Sequence, residues 1–286
     1  MLNRLLTLPQ YLLPQHLLSR LLGKLANCQV RGIKNALINL AIQKYHIDVS
    51  EAIESNPDAY IHFNAFFTRA LKAGARPLPS QSNAIVSPAD GAISQCGPIQ
   101  KGRIFQAKGH SFNALELLGG ATNWHHHFDH GQFITVYLSP RDYHRVHMPY
   151  TGKLIGMTYV PGKLFSVNPR TAETVPKLFA RNERVVCLFE TDMGPMAVVF
   201  VGAFFVASME TVWHGLVAPS HHKKPYHWDY QNAHHVYKTG DEIGRFQFGS
   251  TVIVLFGKDA MQWAPGIVPN RAIQMGELMG LASKQQ

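Results

Sequence analysis

Phe248-Gly249-Ser250-Thr251-Val252-Ile253-Val254-Leu255-Phe256 sets a Gly-Ser-Thr corner against a run of five apolar residues, and Gly257-Lys258-Asp259 ends the run. The apolar residues are mostly β-branched or aromatic and do not alternate with polar ones. They predict a short strand buried on both faces, entered through the corner. Glycine before serine permits backbone angles that other residues resist and leaves the Gly249 carbonyl open to the Ser250 hydroxyl. Such a corner suits attack of the serine oxygen on the preceding carbonyl, with an ester replacing the amide. Elimination and hydrolysis would then leave a pyruvoyl group at residue 250 and a chain cut after Gly249. Alone, Gly-Ser-Thr is common and reads as a turn before a strand, so other residues have to decide.

Outward from this strand, short apolar runs alternate with Gly, Pro, Asp and Asn turns from about residue 82 onward. Strands are predicted at Ala84–Val86, Gly91–Ser94, Phe133–Leu138, Lys153–Tyr159, Arg184–Phe189, Met196–Phe205, Thr211–Val217, Glu242–Phe246 and Thr251–Phe256. Many short strands at irregular spacing indicate a mainly antiparallel β core. Before them the pattern is helical. Pro14 opens a helix in which Leu17, Leu18, Leu21, Leu22 and Leu25 form one stripe while His16, Arg20 and Lys24 form another. A second helix covers Ile33–Tyr45, with Ile33, Leu37, Leu40 and Ala41 facing inward. A third stretch through Ala52 and Ile53 and a fourth over residues 60–80, ended by Gly74 and Pro77, are also expected to be helical. The fold class is therefore α+β: basic amphipathic helices in residues 1–80, then a β-rich catalytic domain in 81–286.

The chain has 286 residues, is 46% hydrophobic and carries a net charge of +9, which points to a polyanionic partner. The first 47 residues hold Arg4, Arg20, Lys24, Arg31, Lys34 and Lys44 and no acid, set among leucines. Charge beside leucine favours an anionic lipid surface over nucleic acid. Pro9, Pro14, His16, Arg20 and Lys24 interrupt every apolar run, so no span of the roughly 20 residues needed to cross a bilayer forms. Cys28, Cys96 and Cys187 are too scattered for a disulfide framework or a Cys-x-x-Cys metal site, as in a reducing compartment.

Three stretches offer chemistry. Val86-Ser87-Pro88-Ala89-Asp90-Gly91 holds an aspartate in a tight turn. Tyr137-Leu138-Ser139-Pro140-Arg141-Asp142-Tyr143-His144-Arg145-Val146-His147-Met148-Pro149 places two histidines after a strand, beside Tyr143, Arg141 and Arg145. The Gly249-Ser250 corner adds a hydroxyl. An acid, an imidazole and a serine follow triad logic, in which order along the chain is immaterial. A serine hydrolase would use the same set without cutting its chain, although no Gly-x-Ser-x-Gly elbow is present. The histidines at 125–130, 221–222 and 234–235 lack metal-site spacing and read as solvated loops.

Taken together, Ser-Pro-Ala-Asp90-Gly, Tyr-Leu-Ser-Pro-Arg-Asp-Tyr-His144-Arg-Val-His147-Met-Pro, Gly162-Lys-Leu-Phe-Ser-Val-Asn168, Phe179-Ala-Arg-Asn-Glu-Arg184 and Gly249-Ser250-Thr251 occur in this order, preceded by Phe66-Phe67-Thr-Arg69-Ala-Leu-Lys-Ala-Gly-Ala-Arg76-Pro. The set resembles phosphatidylserine decarboxylase of the bacterial and mitochondrial type, from about residue 60 to 256. The resemblance implies that Asp90, His147 and Ser250 form a charge-relay set for self-cleavage at Gly249-Ser250. It implies a β chain of residues 1–249 and an α chain of 250–286 that stay together, the latter capped by a pyruvoyl cofactor whose carbonyl condenses with the substrate amine. His144 would serve decarboxylation as the acid that returns a proton, and no metal would be required. Lys163, Phe165, Ser166 and Asn168 are candidate contacts for phosphatidylserine. The implied protein is a homodimer on the cytoplasmic side of the cell membrane, peripheral to it, with no nucleic-acid partner. Phe248 replaces the family's commoner leucine, and the His-rich stretch 221–238 departs from its pattern. A pyruvoyl decarboxylase of a soluble amino acid would have no need of residues 14–25.

Overall fold

The computed structural model describes residues 7–120, 123–204, 208–247 and 250–283. The predicted strand extends from Ser250 to Phe256 with every residue buried. On one side it pairs antiparallel with Gln132–Leu138, placing Ser250 opposite Leu138. On the other it pairs with Gly194–Val201, placing Thr251 opposite Val201. Side chains alternate across a strand, and here each set enters a different core. Val252, Val254 and Phe256 pack with Val136, Val198 and Met279, whereas Ile253 and Leu255 pack with Phe133, Val199 and Phe179. An antiparallel strand usually wets one face; this one is apolar throughout because it has a core on each side.

The nine-stranded sheet runs, in spatial order, Tyr226–Asp229, Gly152–Val160, Arg184–Thr191, Gly194–Val201, Ser250–Phe256, Gln132–Leu138, Gly91–Pro98 and Ala272–Ile273. The strand Val236–Tyr237 also pairs with Gly152–Val160. A four-stranded sheet carries Arg145–His147 at one edge, bonded to Glu242–Phe246. Mostly antiparallel sheets behind a few helices make the fold α+β, as expected.

Among the described residues, four α-helices precede the sheets: α1 (Pro9–Leu12), α2 (Gln15–Ala26), α3 (Arg31–Tyr45) and α4 (Phe63–Phe67). The orientation of α3 corrects the sequence reading at Ile33 and Leu40; to α2 that reading assigns no inward face. In α2 the buried residues are Gln15, Ser19, Gly23 and Ala26, while Leu17, Leu21 and Leu25 are exposed. In α3 the inward face carries Lys34, Ile38 and Ala41, with Leu37 partly buried; Ile33 and Leu40 point outward. Lys34 is tolerated inside because its Nζ donates to the Asp58 carbonyl at 2.9 Å and to Asn35 Oδ1 at 2.6 Å. Leucine stripes alone could not reveal that the small and polar stripe packs.

Two expected helices are also replaced. Ala52 bridges Leu71, Ile53 N–H donates to the Ala70 carbonyl and Lys72 N–H to that of Glu51, so both segments are extended and paired. Helix α4 is therefore only Phe63–Phe67, capped by His62 Nδ1 on Ala65 N–H. The stretch 211–217 is a hairpin of Met209–Thr211 and Gly215–Ala218. The His-rich segment 221–238, read as loop, includes two edge strands of the large sheet, and residues 123–128 form a 3-10 turn. Phe205, the expected end of the Met196 strand, lies outside the described residues. All three cysteines are free.

Candidate active site

Ser250 is the first residue of the central strand, fully buried, and its Oγ has no hydrogen-bond partner among the described residues. Gly249 and Phe248, the other half of the expected cleavage corner, lie outside the described residues. A buried hydroxyl without a partner carries a desolvation cost of about 1–3 kcal/mol, so its placement calls for a chemical reason. Leu138, opposite Ser250, continues into a turn in which Asp142 Oδ2 accepts from Ser139 N–H and Oγ at 2.7 and 2.8 Å. That turn delivers His144, whose carbonyl accepts from Phe246 N–H at 3.0 Å, four residues before Ser250. Two chain connections thus bring His144 and Ser250 to one corner.

His144 is wholly buried, with its ring against Phe67 at a centroid distance of 4.1 Å. Its Nδ1 meets the Asp142 carbonyl at 2.8 Å, so Nδ1 carries the proton, and Nε2 has no partner among the described residues. Burial, aided by the Arg69 charge and opposed by the Asp142 bond, pushes its pKa down to about 3. His144 is therefore a neutral imidazole with a free lone pair. In that state Nε2 can accept a proton, and returning one, as the role expected of it requires, would follow such an acceptance.

His147 is placed differently. Its N–H donates to the Pro88 carbonyl at 2.8 Å, seating it against the Asp90 turn. Its Nδ1 meets the Gly240 carbonyl at 2.8 Å, and its Nε2 meets the Tyr143 hydroxyl at 3.1 Å. Burial holds its pKa below the ordinary histidine value and pushes Tyr143 up to about 12, so Tyr143 stays protonated and donates. Asp90 is held elsewhere. Its Oδ1 accepts from Met275 N–H at 2.8 Å, and both oxygens meet Arg76, the closest contact being Nη2–Oδ2 at 2.6 Å. Arg76 also bonds Glu51.

The acid and the serine flank one strand. Ala92 lies opposite Tyr137 on one side of Gln132–Leu138 and Thr251 opposite Tyr137 on the other. Two strand spacings, about 10 Å, separate their backbones, a gap only a third group can bridge. Gly91 is obligatory at this crossing because a Cβ there would lie 2.2 Å from the Tyr137 carbonyl oxygen. So the structure gathers Asp90, His147, His144 and Ser250 at one end of the sheet. It does not show the Asp90–His147 hydrogen bond that a relay needs, because Arg76 and Gly240 take those atoms.

Tyr137 lines two cavities. One, of about 440 Å³, is apolar and lies under α2 and α3, with Leu22, Leu37, Phe63, Phe67 and Ala203 in its wall. The other, of about 640 Å³, is bordered by the polar side chains of Asp90, Ser139, Arg141, Asp142, Arg271 and Glu277. Of the four candidate lipid contacts, Ser166 and Asn168 line the apolar cavity. Asn168 Oδ1 also caps the turn Pro169–Ala172 through Thr171 N–H. Phe165 is buried against Tyr11 and Arg181, and the exposed Lys163 lines neither cavity. Sequence reasoning did not single out Phe67 or Tyr137, since an aromatic in an apolar run carries no mark of facing a cavity. Among the described residues, no three His, Cys, Asp or Glu side chains stand close enough to hold a metal ion.

A family model described as phosphatidylserine decarboxylase matches residues 63–281, and a second, described as PSD, matches residues 5–46. The phosphatidylserine decarboxylase proenzyme of Azotobacter vinelandii is 57% identical over 98% of this chain and 99% of its own length. That of Ectopseudomonas mendocina is 58% identical over 98% of this chain and 99% of its own. The chain belongs to the phosphatidylserine decarboxylase family. The longer match spans Asp90, His144, His147 and Ser250, the whole lining of the larger cavity and the part of the apolar cavity's wall from Phe63 onward. The shorter one falls on the helices that roof the apolar cavity.

Proposed function

We propose that this chain is a proenzyme that cuts itself between Gly249 and Ser250 and then decarboxylates phosphatidylserine to phosphatidylethanolamine. The observation that carries the reading is the fully buried Ser250 hydroxyl, without a partner among the described residues, at the head of a strand whose neighbouring turn delivers His144, whose Nε2 is likewise without a partner among them. In self-cleavage the Ser250 oxygen bonds to the Gly249 carbonyl carbon as its proton passes to an imidazole, and the peptide C–N bond breaks to an ester and an amine. Loss of the α proton of residue 250 then expels the Gly249 carboxylate and leaves a dehydroalanine. Water releases ammonia and leaves the pyruvoyl group, an electron sink for loss of carbon dioxide. The resting bonds favour His144 as the base, because both ring nitrogens of His147 are occupied. Recruiting the Asp90–His147 relay requires release of Gly240 and Arg76.

The larger cavity suits the zwitterionic head group with its phosphate, and the apolar one the acyl chains, with Tyr137 in the lining of both. No described helix is long and apolar enough to cross a membrane. The outward leucines of α1 and α2, with exposed Arg20, Lys24, Arg31 and Lys44, support attachment to an anionic surface. In this reading residues 1–80 serve the membrane and 81–286 the chemistry, with processed protomers paired on the cytoplasmic face.

The test is the intact mass of the denatured protein beside its Ser250→Ala variant. The expected result is two fragments parting after Gly249 in the parent and one full-length mass in the variant. A single mass from folded parent protein would overturn self-processing. His144→Ala is expected to slow processing more than His147→Ala; the reverse order would assign the base to the relay.

A further inference from the structure

Residues Gly162–Ser166 form an extended ribbon with two bonded edges. Along the inner edge, Lys163 N–H donates to the Arg181 carbonyl and its carbonyl accepts from Glu183 N–H, both at 2.8 Å. Phe165 N–H donates to Asn182 Oδ1 at 3.1 Å, and its carbonyl accepts from Asn182 Nδ2 at 2.8 Å. The outer edge presents residues 162, 164 and 166, and a neighbouring strand would ordinarily take their backbone groups. Side chains of α1 and α2 take them instead. Gln10 Oε1 accepts from Ser166 N–H at 2.9 Å, and Gln15 Oε1 accepts from Leu164 N–H at 2.7 Å. His16 Nε2 meets the Gly162 carbonyl at 2.9 Å. Gln15 Nε2 also donates to the Gln10 carbonyl, which ties the two helices together.

Gln15 and His16 explain how the first turn of α2 is oriented: the loop needs an acceptor and a donor there, and leucine supplies neither. The same rotation turns Leu17, Leu21 and Leu25 outward. The ribbon leads directly into Ser166, Val167 and Asn168 in the wall of the apolar cavity. We infer that Gln10, Gln15 and His16 are positioning residues that couple seating of α1 and α2 on a lipid surface to the geometry of the 162–168 loop. This inference rests on the decarboxylase reading above. A 12-residue helix is marginal by itself in water, so burying its leucine face in lipid stabilises the helix that completes the ribbon. By linkage, an ordered loop favours surface binding in return.

The experiment uses the processed full-length enzyme and a short-chain phosphatidylserine dissolved as monomer. Its kcat/KM is measured with and without phosphatidylglycerol–phosphatidylcholine vesicles that contain no substrate. The parent is expected to be stimulated by vesicles. In Gln10→Ala and Gln15→Ala the stimulation ratio is expected to fall to unity while the variants sediment with vesicles as the parent does. Gln10→Glu, which keeps the acceptor for Ser166 N–H, is expected to retain stimulation. Full stimulation of both alanine variants, or none of the parent, overturns the coupling. Loss of sedimentation in the alanine variants also overturns it, reducing these residues to a tether. A parent inactive under every condition strikes the decarboxylase reading itself.

Discussion

The Ser250–Phe256 strand and helix α2 are both rich in apolar side chains, yet they use them in opposite ways. The strand is bonded on both sides and buries every residue between two cores. The helix buries Gln15, Ser19, Gly23 and Ala26 and leaves a leucine face uncovered. Apolar character therefore does not fix orientation by itself; the groups that neighbouring backbone lacks decide it. The strand's neighbours are complete ladders that ask only for volume. The helix's neighbour is a half-paired loop that asks for hydrogen bonds.

Arg76, on the segment joining the two regions, gives the largest expected effect. Arg76→Ala leaves the buried Asp90 without its cation and is expected to cost about 3–5 kcal/mol, read by urea unfolding of the uncleaved Ser250→Ala chain. A smaller loss would mean that Asp90 stands free of the segment, and the two regions would be less firmly joined than described. In the strand, Leu255→Ala is expected to cost about 2–5 kcal/mol by the same measurement. A near-neutral result would break the contrast, because it would make this core position as permissive as the helix.

The corner at the strand's entrance sharpens the comparison through pH. His144 has its folded pKa pushed down to about 3 from the ordinary 6.5, so below 6.5 the unfolded chain takes up a proton that the folded chain refuses. Stability is therefore expected to fall as pH drops from 6.5 toward 3, His147 acting in the same direction. His144→Asn should reduce that acid slope by about one proton, read from unfolding midpoints across the acid range. An unchanged slope would place His144 in contact with water. The smallest effect on stability is expected in the helix. Leu17→Ser with Leu21→Ser should change unfolding by no more than about 0.5 kcal/mol per site while lowering sedimentation with anionic vesicles. A loss of several kcal/mol would mean that these leucines pack on protein.

Much of the site was legible because its residue types are chemically unusual where they stand. Asp90 in a Pro/Gly turn, two histidines after a strand and a serine after glycine each carry a local signal. Arg76 was legible only as part of a family motif, and nothing local said that it would clamp Asp90. Phe67 and Tyr137 likewise stood only within family motifs, and nothing local marked them as cavity-lining, because facing a cavity depends on what lies across from a side chain. The helices expected at 50–53 and through 60–80 failed for a related reason. Pairing between Ala52 and Leu71 outweighed the modest preference of either segment for helix.

The sequence alone determined that this is an α+β protein with a doubly buried central strand and a basic leucine-rich beginning, and it marked an aspartate, two histidines and a serine as candidates for chemistry. Those properties follow from residue type, period and spacing, which are local. Only the tertiary structure decided which face of α2 is inside, which histidine keeps a free nitrogen and which partners hold Asp90. Each of these depends on hydrogen-bonding groups brought from distant parts of the chain, and a buried polar atom settles where its partner is rather than where its own preference would place it.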